Sequence, residues 1–265
     1  MRDIRILQFN CGLANYGATR PILDAASPTK HQVLAIQEPG FSRQTGTTYC
    51  PKGYVLAYEA DPTTKVCFMI SREIKSSLWS FQAFSRFVAV LRMQTAGGTL
   101  TIINIYNPRD NGPRIRTWNT IEPILKSIAD WTILLGDFNC HHPSWGGPQA
   151  AREPQAEHLR VEAQRHGLTL ITPPGEPTWR RGAQQSVIDL TLISEELEPL
   201  IEYCGPRENW ATTQDHIPID IKLALAAPAH AESRRFALKK AEWGPLCQSV
   251  QKCGWRESED PLTAL

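Results

Sequence analysis

Apolar residues along this chain recur mostly with a period of two, or in short unbroken runs, and seldom at the three-and-four spacing of a helix face. Such stretches run from Ile4 to Phe9, Val33 to Ile36, Tyr54 to Tyr58, Val66 to Ile70, Phe87 to Met93 and Leu100 to Tyr106. Others cover Thr132 to Leu135, Leu168 to Ile171, Val187 to Ile193, Leu200 to Tyr203 and Ile217 to Leu223. Their length and alternation predict strands. Helical spacing is rarer. Pro113 opens a segment in which Ile115, Trp118, Ile121, Ile124, Leu125 and Ile128 share a face, and Pro154 opens another that runs through His166 and ends at Gly167. Many strands with few helices predict two packed sheets flanked by helices rather than one parallel sheet in regular alternation with helices.

The pattern fades after Leu225, where Ala226, Ala227, Pro228, Ala229, His230 and Ala231 read as a linker. We therefore expect a main domain over 1–225 and a partly disordered linker and tail over 226–265, with one short helix around Phe236 to Trp243. A chain of 265 residues is near the upper end of what a single core serves. No apolar run approaches the roughly 20 residues that a membrane-spanning helix needs. The first apolar stretch is interrupted by Gln8 and Asn10, unlike a secretory signal, so residence inside the cell is expected. Seven cysteines without a Cys-x-x-Cys pair argue for reduced thiols and against a zinc site. With a net charge of only +1, contact with nucleic acid has to come from local groups such as Arg109, Arg114, Arg116, Arg180 and Arg181.

Polar residues gather at the ends of the predicted strands. Asn10 ends one, Glu38 ends another, and Gly136-Asp137-Phe138-Asn139 ends a third. Asp189 lies inside an apolar run and Asp215-His216 directly precedes one. A carboxylate inside a buried strand is costly unless it is paired or bound to a cation, so Asp189 calls for a partner, and a histidine is the obvious candidate. Taken singly, Glu38 reads as a solvated loop residue and Gly-Asp-Phe-Asn as a turn. Their shared placement suggests phosphodiester hydrolysis, which needs a hard cation, a group to place or deprotonate water, and donors for the growing charge. Glu38 suits magnesium, Asp137 the water, Asn10 and Asn139 the phosphate, and His216, held by Asp189 or Asp215, a proton near neutrality.

In order along the chain, Asn10, Glu38, Ile105-Tyr106-Asn107-Pro108, Gly136-Asp137-Phe138-Asn139, Thr178-Trp179, Ile188-Asp189 and Asp215-His216-Ile217-Pro218 resemble the endonuclease/exonuclease/phosphatase superfamily. The stretch His141-His142-Pro143-Ser144-Trp145-Gly146 resembles the apurinic/apyrimidinic-like endonuclease branch of LINE-type (non-LTR) retrotransposons. The segment Phe236 to Trp243 looks like the one that leads from endonuclease to reverse transcriptase in those elements.

The resemblance implies a four-layered α/β/β/α sandwich of two mixed sheets flanked by helices. It implies Mg²⁺, with Mn²⁺ as a substitute, held by Glu38 with Asn10 and Asp215. Asp137, His216, Tyr106, Asn139, Asp189 and Asp215 would be catalytic, and Asn10, Arg109, Thr178 and Gln214 would bind substrate. The activity implied is an endonuclease that nicks double-stranded DNA in the nucleus and leaves a 3′ hydroxyl, beside a reverse transcriptase domain in the parent element. Gln214 stands where many relatives carry Ser, Gly12 where many carry a second amide, and Arg109 where relatives often carry Asn. The alternatives are a phosphatase or phospholipase acting on small phosphoesters, and an inactive retroelement relic.

Overall fold

The structure, a computed structural model, describes residues 3–12, 16–40, 42, 45–61, 63–109, 112–127, 131–207, 210 and 215–226. One six-stranded sheet has the order β13 (Ile201–Pro206), β14 (Ile219–Ala226), β1 (Asp3–Asn10), β2 (Val33–Gln37), β4 (Val66–Ser71), β3 (Tyr54–Ala57). The other has the order β5 (Trp79–Ser85), β6 (Val88–Thr95), β7 (Gly98–Tyr106), β8 (Trp131–Asp137), β12 (Asp189–Ser194), β9 (Leu168–Leu170). Each contains one parallel pair, β1 with β2 and β7 with β8, among antiparallel ones. A polar hairpin, β10 (Trp179–Arg181) with β11 (Gln184–Ser186), stands apart from both. The helices are α1 (Tyr16–Ala25), α2 (Trp118–Ser127), α3 (Pro143–Gly146) and α4 (Pro154–Arg165).

Alternation along the strands sorts side chains into layers. Ile4 and Ile6 of β1 join Val33, Ala35 and Phe68 in a core shared with Leu91, Ile102, Ile133 and Ile193 of the facing sheet. Leu7 and Phe9 point the other way, to pack with Leu34, Ile36 and with Ile22 and Leu23 of α1. On the far side, Val90, Ile103, Ile105 and Leu134 are covered by Ile121 and Ile124 of α2 and Leu159 of α4. The expected α/β/β/α sandwich is thus found. No helix among the described residues is long and apolar enough to cross a membrane. Cys11, Cys50, Cys67, Cys140 and Cys204 are free thiols.

A few polar pairs cross between the two sheets. The Gln37 amide donates to Asn104 Oδ1 at 2.6 Å, and Asn104 Nδ2 donates to the carbonyls of Ile36 and Cys67 at 3.1 and 3.0 Å. Thr191 Oγ1 donates to Gln8 Oε1 at 3.2 Å. Buried groups of this kind are stable only when matched, so they fix how one sheet slides over the other.

Several elements differ from the sequence reading. Helix α2 starts at Trp118 rather than Pro113, because Thr117 hands both its N–H and its hydroxyl to Asn107 Oδ1 at 3.2 Å and holds the preceding residues in a turn. Ile128 of that segment, and the tail beyond Ala226, lie outside the described residues. Helix α1 escaped prediction because Pro21 sits inside it. So did β5, whose residues alternate only between half-buried and exposed.

Gly136 makes the chain's approach to the site possible. It has φ +144°, and a Cβ there would come within 2.0 Å of the Ile105 carbonyl oxygen on the parallel neighbour β7. Gly167, closing α4 with φ +63°, has nothing within 4 Å of such a Cβ. Gly167→Ala should therefore cost only about 1–2 kcal/mol for the left-handed backbone. Gly136→Ala should cost about 3 kcal/mol or more, because backbone must move as well. Denaturant midpoints of the two variants check this, and equal losses would contradict it.

Candidate active site

The parallel pairs bring four strand ends together. Asn10 and Gln37 end β1 and β2 side by side, and Tyr106 and Asp137 end β7 and β8 side by side. Antiparallel β12 begins opposite β8, so Asp189 faces Asp137 across the pair. Asp137 and Asp189 are 1% and 2% exposed, too little for water to stabilise two like charges.

Asp137 is held by amides. Its Oδ2 accepts from Asn10 Nδ2 at 2.8 Å and from Asn139 Nδ2 at 3.0 Å, and its Oδ1 accepts from the Asn139 N–H at 2.9 Å. A carboxylate offers about four acceptor positions, so roughly one remains for water or substrate. Burial first, then the Asp189 charge, push its pKa well above the usual carboxylate range. Asn10 itself accepts the Gly12 N–H at 2.7 Å, and Asn139 also donates to the Asn107 carbonyl at 3.0 Å.

His216 settles which carboxylate is its partner. Its Nδ1 is 2.9 Å from Asp189 Oδ2, while its Nε2 is 3.9 Å from Asp137 Oδ2. The second distance is too long for a hydrogen bond and leaves a gap facing both groups. Burial alone would lower the imidazole, but the Asp189 charge and hydrogen bond outweigh it and raise its pKa to about 9. Near neutrality the ring is therefore a cation. Asp137, Asp189 and His216 offer ligand atoms within 4.8 Å of one another, a grouping able to hold a metal ion. The second oxygen of Asp189, Oδ1, is buried with no hydrogen-bond partner.

Glu38 and Asn139 are the two non-glycine residues with positive φ among those described, at +46° and +49°. Both flank this centre, which is where such backbone strain tends to persist. Glu38 takes an ion pair from Lys65 at 3.2 Å and a hydrogen bond from Tyr106, whose phenol is raised by burial and then by the charges of Glu38 and Asp137. Lys65 escaped the sequence reading. The register Gln37↔Val66 places it beside Glu38, a signal that exists only once β2 and β4 are known to pair.

Other expected site residues are placed differently. Asp215 bonds Arg181 of the hairpin rather than His216. Thr178 is fully buried and its Oγ accepts the N–H groups of Ile188 and Asp189, both at 3.0 Å. In this buried position the hydroxyl fixes the start of β12. Arg109 is exposed, and Gln214 lies outside the described residues. The His-Pro-Ser-Trp-Gly stretch is structural here. His142 Nδ1 accepts the Ser144 N–H at 3.0 Å, and the buried Trp145 donates to the Cys140 carbonyl at 3.2 Å.

Residues 100–220 match the family described as "Endonuclease-reverse transcriptase". A stretch of 111 residues, 41% of this chain, is 30% identical to the RNA-directed DNA polymerase from mobile element jockey of Drosophila melanogaster, and the chain spans 11% of that protein's length. Among solved structures, the endonuclease domain of TRAS1, a telomere-specific non-LTR retrotransposon, has a TM-score of 0.64 at 20% identity, covering 83% of this chain and 98% of that one. AP endonuclease LMAP from Leishmania major has a TM-score of 0.66 at 14% identity, covering 84% and 88%. The APE2 catalytic domain of Xenopus laevis has 0.60 at 14%, covering 85% and 94%. At these identities the structures speak for the fold alone. The chain is thus similar over residues 100–220 to the family described as "Endonuclease-reverse transcriptase" and in fold to the TRAS1 endonuclease domain, in line with the resemblance read from the motifs.

Because Asp189 holds the His216 proton, Asp189→Asn should drop the imidazole from about 9 toward its ordinary value of about 6.5, with burial then opposed only by the smaller effects of the Asp137 and Glu38 charges. Titration of the His216 ring by NMR reads this directly, and a value still near 9 would rule out Asp189 as the holder. The sign for stability follows. A raised folded pKa contributes fully below about 6.5 and fades as pH rises through about 9.

Proposed function

We propose that the chain is a Mg²⁺-dependent phosphodiesterase that nicks double-stranded DNA and leaves a 3′ hydroxyl, with Mn²⁺ as a substitute cation. The observation that carries this reading is the His216 cation, fixed by Asp189 and held 3.9 Å from a carboxylate with an open acceptor position. An imidazolium and a carboxylate facing one gap can donate to a phosphate oxygen and orient water against the phosphorus.

The donor set fits a hard divalent cation, which favours one or two carboxylates with water and phosphate oxygens. Glu38 is the principal donor, Asn10 retains a lone pair on Oδ1, and Asp215 would have to leave Arg181 to contribute. The unpartnered oxygen of Asp189 marks a place where a positive charge is still wanted. When bound, the cation supplies polarisation of the phosphoryl oxygen. The remaining work falls to side chains of this chain. Asp137, its pKa raised to about 8, orients the attacking water and takes up its proton in the fraction of molecules that is deprotonated near neutrality. Asn10 and Asn139 keep its oxygens aimed, and His216 donates through Nε2 to the phosphate. Tyr106, beside Glu38 at the end of β7, contacts the scissile group, the exposed Arg109 adds a phosphate contact, and Gln214, outside the described residues, is assigned another by the motif.

In this reading residues 1–225 form the catalytic domain, and 226–265 lead toward a reverse transcriptase in a parent element. The nick would then prime reverse transcription in the nucleus. Supercoiled plasmid should convert to open circle with Mg²⁺, and EDTA should abolish the reaction. His216→Ala or Asp137→Ala should slow it by at least roughly two orders of magnitude, about 3 kcal/mol of transition-state stabilisation, without unfolding the protein. Retained nicking in either variant would sink the assignment. An intact plasmid beside rapid cleavage of a small phosphoester would point to a phosphatase or phospholipase, and no hydrolysis of either to a relic.

A further inference from the structure

Beside the candidate active site lies a cluster of cations and aromatic rings that none of the assigned roles uses. The Arg86 guanidinium carbon is 4.5 Å from the centre of the Phe87 ring, and that of Arg116 is 5.9 Å from the same ring. Phe87 in turn stacks at a tilt on Tyr106, with ring centres 6.2 Å apart. The backbone locks this arrangement to the site. The Arg86 carbonyl accepts the Lys65 N–H at 2.7 Å, and the Phe87 carbonyl accepts the Tyr106 N–H at 3.0 Å. The turn between β5 and β6 is therefore bonded to the residues that flank Glu38.

Two guanidinium groups against one neutral ring repel each other and ask for an anion. Some surface arginines have one: Arg20 pairs with Asp24, Arg160 with Glu157, Arg165 with Glu162 and Arg181 with Asp215. Arg86 and Arg116, like the exposed Arg72, Arg109, Arg114 and Arg152, form no ion pair among the described residues, and what sets these two apart is the ring they share. Asp61, the acid that feels Arg86, takes the N–H and hydroxyl of Thr63 on Oδ1, both at 2.7 Å. Both arginines are exposed, so their N–H groups remain free to donate while the ring limits their motion.

We infer that Arg86 and Arg116, steadied on Phe87, form a phosphate-binding shelf for the DNA strand that flanks the bond being cut. This rests on the DNA reading above and deepens it. Phe87, whose ring centre lies 6.2 Å from that of Tyr106, sets the two arginines beside the residue that contacts the scissile group in that reading. The shelf therefore holds the backbone next to the scissile phosphate. Contacts of this type set register along the strand without reading bases.

The test is duplex binding by fluorescence anisotropy across a salt series in EDTA, which needs no turnover. Each phosphate contact adds about 0.9 to the slope of log affinity against log salt, so Arg86→Gln with Arg116→Gln should flatten it by roughly 1.8. Phe87→Ala, with both arginines kept, should flatten it in part. Arg20→Gln with Arg160→Gln removes the same formal charge from paired positions and should leave the slope unchanged. An undiminished slope in the Arg86/Arg116 variant, with wild-type protein that binds and nicks DNA, overturns the shelf and leaves the nuclease reading standing. Equal flattening in the control overturns it too, by making net charge the cause. Wild-type protein that neither binds nor nicks DNA overturns both.

Discussion

Two carboxylates, Asp137 and Asp189, face each other at paired strand ends with almost no access to water, and the architecture of the site follows from balancing them. Neutralising them outright would take two positive charges, and the side chains in contact supply one, His216. The rest is met by dipoles, with three N–H donors on Asp137 and none on the outer oxygen of Asp189. The asymmetry explains why the two acids behave differently. Asp189 bonds the imidazole directly, while Asp137 is driven toward holding a proton.

That balance depends on backbone placement at the level of single bonds. The Thr178 hydroxyl fixes the first two N–H groups of the Ile188–Asp189 segment. The Thr178 carbonyl accepts the Ile217 N–H, and the Asp215 carbonyl accepts the Arg180 N–H, both at 2.7 Å. Trp179 bridges His216 directly. One short hairpin thus holds both members of the Asp189–His216 pair in place. Residues of this kind leave the chemistry to others but decide whether the chemistry can occur.

Much of this was legible in the sequence, for identifiable reasons. A period-two pattern reports which face is buried, so the eleven anticipated runs located most strands of both sheets. A buried carboxylate demands a partner, so Asp189 pointed to a histidine before any distance was known. Less legible were features that arise only from pairing. Lys65 becomes a neighbour of Glu38 through the β2–β4 register, and the turn between β5 and β6 brings Phe87 against Tyr106 and Arg86 against Lys65. Edge elements such as β5 and the β10–β11 hairpin carry little apolar signal, because one side or both face water. Thr178 was visible as a motif residue, but a motif shows only that a hydroxyl is wanted, and it takes the fold to show that the backbone N–H groups of Ile188 and Asp189 use it.

The last feature with wider meaning is the pairing of β14 with β1. The site draws Asn10 and Glu38 from the beginning of the chain, Asp137 from its middle, and His216 from the segment entering β14. Since β14 docks antiparallel against β1, the first strand has to wait for the last before that sheet acquires its full order. Contacts so distant in sequence form late in folding. During synthesis, a ribosome-bound chain that still lacks β14 carries the carboxylates before the strand that anchors the His216 segment is in place. A site assembled this way stays incomplete until the domain is closed.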